Sequence, residues 1–158
     1  MEKVGLGYDS HRFAAGRPLV LGGVGIEHDR GLAGHSDADA VLHALTDAVL
    51  GAIGAADIGE QFPDTDPRWA GADSSRFLAH AVRLAAEKGY RAVNADVTIL
   101  AESPRLSAYK DKMRARIAEL LGVGIEDVAV KAKTNEGMGL VGRGEGIAAL
   151  AAVLLSTD

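Results

Sequence analysis

Gly146-Ile-Ala-Ala-Leu-Ala-Ala-Val-Leu-Leu155 is an unbroken apolar run near the end of the chain, and how it folds decides the architecture. Periodicity alone does not separate a buried strand from a buried helix in such a run; the strand is the reading adopted here. Working outward, Val128–Lys133 is a strand, residues 107–121 form a helix through Met113, Ile117, Leu120 and Leu121 closed by Gly122, and residues 90–101 alternate as a strand with Val93, Ala95, Val97 and Ile99 on one face. Before them, Asp73 or Ser74 caps a helix carrying Phe77, Leu78, Ala81, Val82, Leu84 and Ala85 and stopped by Gly89. Residues 57–67 are turn-rich, with Pro63 and Pro67 barring helix. Ser36 or Asp37 caps an earlier helix with the stripe Val41, Leu42, Leu45, Val49 and Leu50, ended by Gly51 or Gly54. Residues 18–26 read as a Gly-punctuated hairpin and residues 3–13 as a strand. The order is strand, strand, helix, helix, strand, helix, strand, strand. It predicts an α/β (α+β) fold in which helices cover one face of a mixed β-sheet, not a doubly wound parallel one.

A chain of 158 residues fits one domain, expected over 1–158, and at this size roughly 70% of the unfolded surface is buried. Aromatics supply only 4% of the residues, so the core is built from Ala, Val, Leu and Ile and favours close helix-on-sheet packing. The balance of 17 basic against 22 acidic residues argues against nucleic acid, whose binding rests on phosphate neutralisation. With no cysteine, any metal is held by nitrogen and oxygen. No segment reaches the roughly 18 apolar residues of a membrane span and no signal peptide opens the chain, so a soluble cytoplasmic protein is expected.

Asp9-Ser-His11 lies within the first strand, where alternation points both side chains to one face. His43, on a helix able to sit over that face, is a third candidate ligand. Singly, an Asp-x-His pair is as readily a hydrogen-bonded loop-edge pair, and a helix histidine is as readily part of a core. Together, Asp/His/His with an open fourth position suits a catalytic divalent ion, zinc before others. Gly5, Gly7, Gly34 and Ser36 leave room for a ligand, and Asp37, Asp39 and Asp47 crowd the same helix, with Asp39, His43 and Asp47 four apart on one polar edge. Gly137-Met-Gly139-Leu-Val-Gly142 fits G-x-G-x-x-G, but it leads toward a strand rather than a helix, so a dinucleotide site is rejected. Phosphate-friendly backbone remains at Gly34-His35-Ser36 and at residues 131–136, with Lys131, Lys133, Arg105 and Arg143 adding positive charge.

Asp9-Ser-His11, Gly34-His-Ser-Asp-Ala-Asp-Ala-Val-Leu-His43-Ala, Asp57-Ile-Gly, Phe62-Pro-Asp-Thr-Asp66, Asp96-Val-Thr-Ile and Gly142-Arg-Gly-Glu-Gly146, in this order across nearly the whole chain, resemble the 2-C-methyl-D-erythritol 2,4-cyclodiphosphate synthase family. The resemblance implies an enzyme of the non-mevalonate isoprenoid pathway that cyclises 4-diphosphocytidyl-2-C-methyl-D-erythritol 2-phosphate and releases CMP. It implies a homotrimer whose sheets form a central β-prism, with active sites between subunits. Zinc is expected on Asp9, His11 and His43, and magnesium or manganese on the substrate diphosphate near Glu136. His35 and Thr134 match positions that stabilise the transition state. Substrate contacts carried over are Asp9, His11, His35 and Ser36, then Asp57 and Gly59 near the methylerythritol portion, Phe62 and Asp64, and Arg143 near the phosphates with Leu140 beside it. The cytidine pocket is expected from a neighbouring subunit through Ala101, Glu102, Ser103, Pro104, Arg105 and Leu106, with Lys133, Thr134, Asn135 and Glu136 close by. Leu140 stands where some members carry Phe, so an isoprenoid-binding cavity on the trimer axis is left out of what is carried over; Asn135 stands where others carry Thr. Some members also carry the cytidylyltransferase of the preceding step, for which this chain has no room.

Overall fold

A computed structural model describes residues 1–158. Its sheet has the order β4 (Gly31–Leu32), β1 (Glu2–Ala14), β7 (Gly146–Ser156), β5 (Arg91–Leu100), β6 (Val128–Lys133). All neighbours are antiparallel except β5 and β6, so the sheet is mixed as the element order predicts. The apolar run is the central strand, paired with β1 on one side and β5 on the other; Ile147, Ala149, Ala151 and Val153 face the core while Leu150 on the opposite face is exposed, so both faces carry apolar residues and no polar alternation marks it. A separate ribbon joins β2 (Leu19–Leu21) and β3 (Val24–Ile26), the expected hairpin.

The helices α1 (Ala40–Ala52), α3 (Ser75–Glu87) and α4 (Lys110–Leu121) cover one face, and one continuous core lies between them and the sheet. Close approach of α1 depends on two glycines. A Cβ on Gly7 would lie 1.8 Å from the Ala44 carbonyl oxygen, and one on Gly5 1.7 Å from that of Ala48. Asp9 and His11 continue the same face of β1, and His43 occupies the turn of α1 beside Ala44. The recess made by the glycines therefore brings the three candidate ligands together. On the opposite, bare face of the sheet Val4 and Leu6 are 68% and 77% exposed, flanked by Tyr8 and Leu150. No helix is long and apolar enough to cross a membrane.

Several expectations are corrected. The N-cap of α1 is Asp39, not Ser36 or Asp37: Ala38 has φ 59°, which prevents an earlier start, and the fully buried Asp39 carboxylate accepts from Leu42 N–H as well as from Gly22 and Gly23 N–H at 2.9 and 2.7 Å. Only this tie to the β2–β3 turn selects among three residues with equal capping chemistry. Helix α1 runs through Gly51 to Ala52, with Gly54 at φ 65° just beyond. Within residues 57–67 a one-turn helix α2 (Ile58–Gln61) forms ahead of Pro63, capped by Asp57. Val93 does not share the buried face of Ala95, Val97 and Ile99, because a bulge between Ala92 and Asn94 turns it outward. The 107–121 helix opens with a 3-10 turn over Ser107–Tyr109, and Leu120 is only half-buried. A short helix α5 (Gly139–Gly142) precedes β7.

Candidate active site

Asp9 Oδ2 lies 2.7 Å from His11 Nε2 and 3.2 Å from His43 Nδ1, and the two ring nitrogens are 3.2 Å apart. The three are partly buried, and one ligand atom from each falls within 4.8 Å of the others. Hydrogen bonds at the far side of each ring fix which nitrogen faces the cluster. His11 Nδ1 donates to the Ala33 carbonyl at 2.7 Å, leaving Nε2 for an ion. His43 Nε2 faces Ser74 Oγ at 2.8 Å and Ser36 Oγ at 3.2 Å, leaving Nδ1. Ser74 Oγ in turn donates to the Asp37 carboxylate, which also accepts Ser74 N–H at 3.0 Å. Two imidazoles and one carboxylate, each held from behind, are a fitting donor set for zinc or a similar divalent cation.

Beside the cluster is a cleft of about 260 Å³ into which His11, His35, Ser36, His43, Gly59, Phe62 and Asp64 all face, with Ile58, Trp69 and Phe77 as apolar wall. His35 Nε2 donates to the Asp66 carbonyl at 3.0 Å, fixing its ring to the 57–67 segment. Arg17 donates to the carbonyls of Gly34 and Ser36 at 2.7 and 2.6 Å and so clamps the backbone that carries His35. Asp57 caps α2, and Asp47 accepts Ile58 N–H at 2.8 Å, so both acids hold the turn that presents Gly59. Phe62 packs against Phe77 and Trp69 with ring centroids 4.5 and 5.0 Å apart.

The second group of predicted residues gathers elsewhere. Ala101, Glu102, Pro104, Arg105, Leu106, Lys133 and Thr134 line a separate cleft of about 340 Å³, with Ser103 in the same loop and Asn135 and Glu136 in the turn after β6. Its place follows from the register. His11 pairs with Ile147 on β7, Ile99 with Ala149 and Leu100 with Lys133, so both clefts lie at one end of the sheet. Three inter-strand spacings, roughly 14 Å, separate β1 from β6. Leu140 and Arg143 join neither cleft: Leu140 borders a hollow with Ser10, Arg12 and Phe13, and Arg143 pairs with Glu145 at 2.8 Å.

A sequence model described as the YgbB family matches residues 2–156. The chain belongs to the YgbB family. Among its relatives, the protein of Geobacillus kaustophilus (strain HTA426) named 2-C-methyl-D-erythritol 2,4-cyclodiphosphate synthase is 57% identical over 155 residues, 98% of each chain. A solved structure of a 2C-methyl-D-erythritol-2,4-cyclodiphosphate synthase in a CDP-bound form is 39% identical and superposes with a TM-score of 0.90 over 98% of this chain and 100% of that one. The bifunctional IspDF of Campylobacter jejuni gives a TM-score of 0.94 at 42% identity; this chain covers 98% of itself there but spans only 42% of that longer protein.

The electrostatics of this YgbB chain tie ion binding to pH. Burial works to lower the His11 pKa, but the hydrogen bond and charge of Asp9 outweigh it and raise the ring above its ordinary 6.5. Burial likewise works to raise Asp9, yet the hydrogen bonds to His11 and His43 hold it below 3.8. An ion displaces the His11 proton, so acid competes with it. Because the pKa is raised, divalent-ion affinity is expected to decline on acidification already above pH 6.5. Zinc titrations between pH 5 and 8 check this, and an affinity flat down to pH 6 would contradict it.

Ser74 enters the sequence reading only as a possible helix cap. It makes no side-chain capping bond, and its hydroxyl serves His43 and Asp37 instead. No local signal distinguishes the two uses; only the fold places Ser74 behind His43. Ser74→Ala is expected to weaken zinc binding roughly 10- to 100-fold, the usual effect of removing an outer partner of a ligating histidine. Chelator competition measures it, and unchanged affinity would show that Ser36 alone orients the ring.

Proposed function

We propose that residues 1–158 work as one cyclodiphosphate synthase domain, converting 4-diphosphocytidyl-2-C-methyl-D-erythritol 2-phosphate to 2-C-methyl-D-erythritol 2,4-cyclodiphosphate and CMP in the cytoplasm. The observation that carries this reading is the Asp9/His11/His43 cluster opening onto the cleft of His35 and Ser36, in a chain matched over its length by relatives of that name.

In this reaction an oxygen of the substrate 2-phosphate attacks the β-phosphorus of the same molecule, and the bond from that phosphorus to the bridging oxygen breaks, so CMP leaves with that oxygen. Nucleophile and electrophile are already joined. The protein must fold the substrate upon itself and offset charge on the transferring phosphoryl group, which explains the lack of a catalytic Ser or Cys dyad. A divalent ion held by Asp9, His11 and His43, zinc in our reading, and a magnesium or manganese ion near Glu136 would supply Lewis-acid neutralisation of the phosphates. The Nε2–H of His35, tied to the Asp66 carbonyl, keeps that ring facing the cleft, where it and a Thr134 brought by a neighbouring subunit would stabilise the transition state. Gly59, presented by the turn that Asp57 caps, would meet the methylerythritol portion, with Ser36, Phe62 and Asp64 as further contacts in the same cleft; Arg143, with Leu140 beside it, lies outside both clefts and would approach the phosphates from there.

We further propose a homotrimer with shared active sites. Two features support it. The exposed stripe of Val4, Leu6, Tyr8 and Leu150 is a sheet face that a central β-prism would cover. The 101–106 loop, with Lys133, Thr134, Asn135 and Glu136, stands roughly 14 Å across the sheet from the triad, so a neighbour's loop would complete each cleft and hold the cytidine. The direct test is CMP release from the diphosphocytidyl substrate: activity that vanishes on chelation and returns with zinc and magnesium is expected, and no release under any metal condition would refute the reading.

A further inference from the structure

We infer that the Glu102 side chain is a positioning residue that locks the nucleoside loop to the turn carrying Glu136. This rests on the functional reading above, which gives the loop its cytidine and Glu136 its ion. Glu102 lies two residues past the end of β5, and its Oε1 accepts from two backbone amides, Asn135 N–H at 3.0 Å and Gly137 N–H at 3.1 Å. These amides flank Glu136 on either side.

Glu136 needs such a restraint. Its φ is 53°, in the left-handed region where Cβ crowds the following carbonyl, and Gly137 follows at φ 73°. The Asn135 carbonyl accepts Met138 N–H at 2.9 Å, so Glu136 and Gly137 are the two central residues of a tight turn with positive φ at both, and the Asn135 and Gly137 amides on either side of Glu136 are met by the Glu102 carboxylate. The other restraints on the turn are local: Thr134 Oγ1 accepts Glu136 N–H at 3.3 Å, and the Asn135 amide donates to the Met138 carbonyl at 2.8 Å. Only Glu102 and the Ala101 N–H bond to the Lys133 carbonyl, at 2.9 Å, reach across from the other loop. The carboxylate thus sets the distance between the base-reading segment and the ion-holding turn, and its oxygen is engaged by the protein rather than free for a ligand.

The test compares Glu102→Ala, Glu102→Gln and Glu102→Asp, using CDP with Mg²⁺ as probe and the KM and kcat of CMP release. Gln retains an oxygen at the same reach without charge; Asp retains charge but is one methylene short of both amides. E102A is expected to bind CDP at least about tenfold more weakly, the effect of losing both hydrogen bonds, and to need more Mg²⁺ for half-maximal activity. Zinc affinity at the triad stays unchanged, because Glu102 bonds only Asn135 and Gly137 and none of Asp9, His11 and His43 or their supporting partners. E102Q is expected to recover most of the CDP affinity and KM, and E102D to recover less than E102Q. Wild-type CDP affinity in E102A overturns the inference, as does E102D outperforming E102Q, which would mean that charge rather than reach matters. If the wild-type protein itself fails to bind CDP, the functional reading falls and the clamp with it; if only the variants behave alike, the clamp alone falls.

Discussion

His43→Ala is expected to abolish cyclisation and to cost more zinc affinity than the roughly 10- to 100-fold of losing an outer partner, while the chain stays folded. His43 Nδ1 is one of only three ligand atoms in the cluster, and the remaining Asp9 and His11 pair leaves an ion two protein bonds. The fold should tolerate the change. Most of the buried surface around α1 comes from Val41, Leu42, Leu45, Val49 and Leu50, none of which the substitution touches, and the Ser74–Asp37 bonds persist. A loss of roughly 1–3 kcal/mol is the expected scale for a half-polar buried side chain. Zinc titration, circular dichroism and CMP release together separate the effects. Full activity at full zinc occupancy would remove His43 from the site. The contrast is His80→Ala: His80 is bonded to Gln61 and Arg83 and edges against Phe62, outside the cluster, so zinc binding should not change.

Mixed trimers should regain activity that neither parent has. Under the shared-site arrangement proposed above, a His11→Ala subunit lacks the ion half and keeps its 101–106 loop, whereas a subunit altered at Pro104 and Arg105 has the reverse. Each homotrimer then has three defective sites. In a trimer that contains both kinds of subunit, one of the three junctions joins an intact triad to an intact neighbouring loop, so about a third of the sites combine two intact halves. Co-expression of differently tagged subunits and tandem purification would give the mixed species. Recovery to about a third of wild-type CMP release is expected; assembled mixed trimers no better than the parents would mean that the pocket lies within one subunit, and residues 101–106 would be withdrawn from it.

The triad was legible because strand alternation and helical spacing are local rules: Asp9 and His11 had to share a face. Gly5 and Gly7, expected to leave room for a ligand, instead admit the Ala48 and Ala44 carbonyls of α1. The central strand, though read as a strand, was ambiguous by periodicity, because apolar residues occupy both of its faces. What escaped the sequence was decided by contacts between distant segments. Ser36, Asp37 and Asp39 are equally good caps in isolation, and only the amides of Gly22 and Gly23 single out Asp39. Val93 obeys the alternation on paper but is displaced by a bulge with no signature in the sequence. Ser74 and Glu102 act through partners 31 or more residues away, His43 in one case and Asn135 and Gly137 in the other, so no motif announces either role.

Oxygen tracing tests the central claim most directly. With 4-diphosphocytidyl-2-C-methyl-D-erythritol 2-phosphate in H₂¹⁸O, ring closure uses an oxygen of the substrate's own phosphate, so the account predicts CMP and a cyclic diphosphate by ³¹P NMR, neither carrying ¹⁸O. A linear bisphosphate with ¹⁸O on phosphorus would mean that water is the nucleophile at the Asp9/His11/His43 site, and the cyclase reading would be wrong.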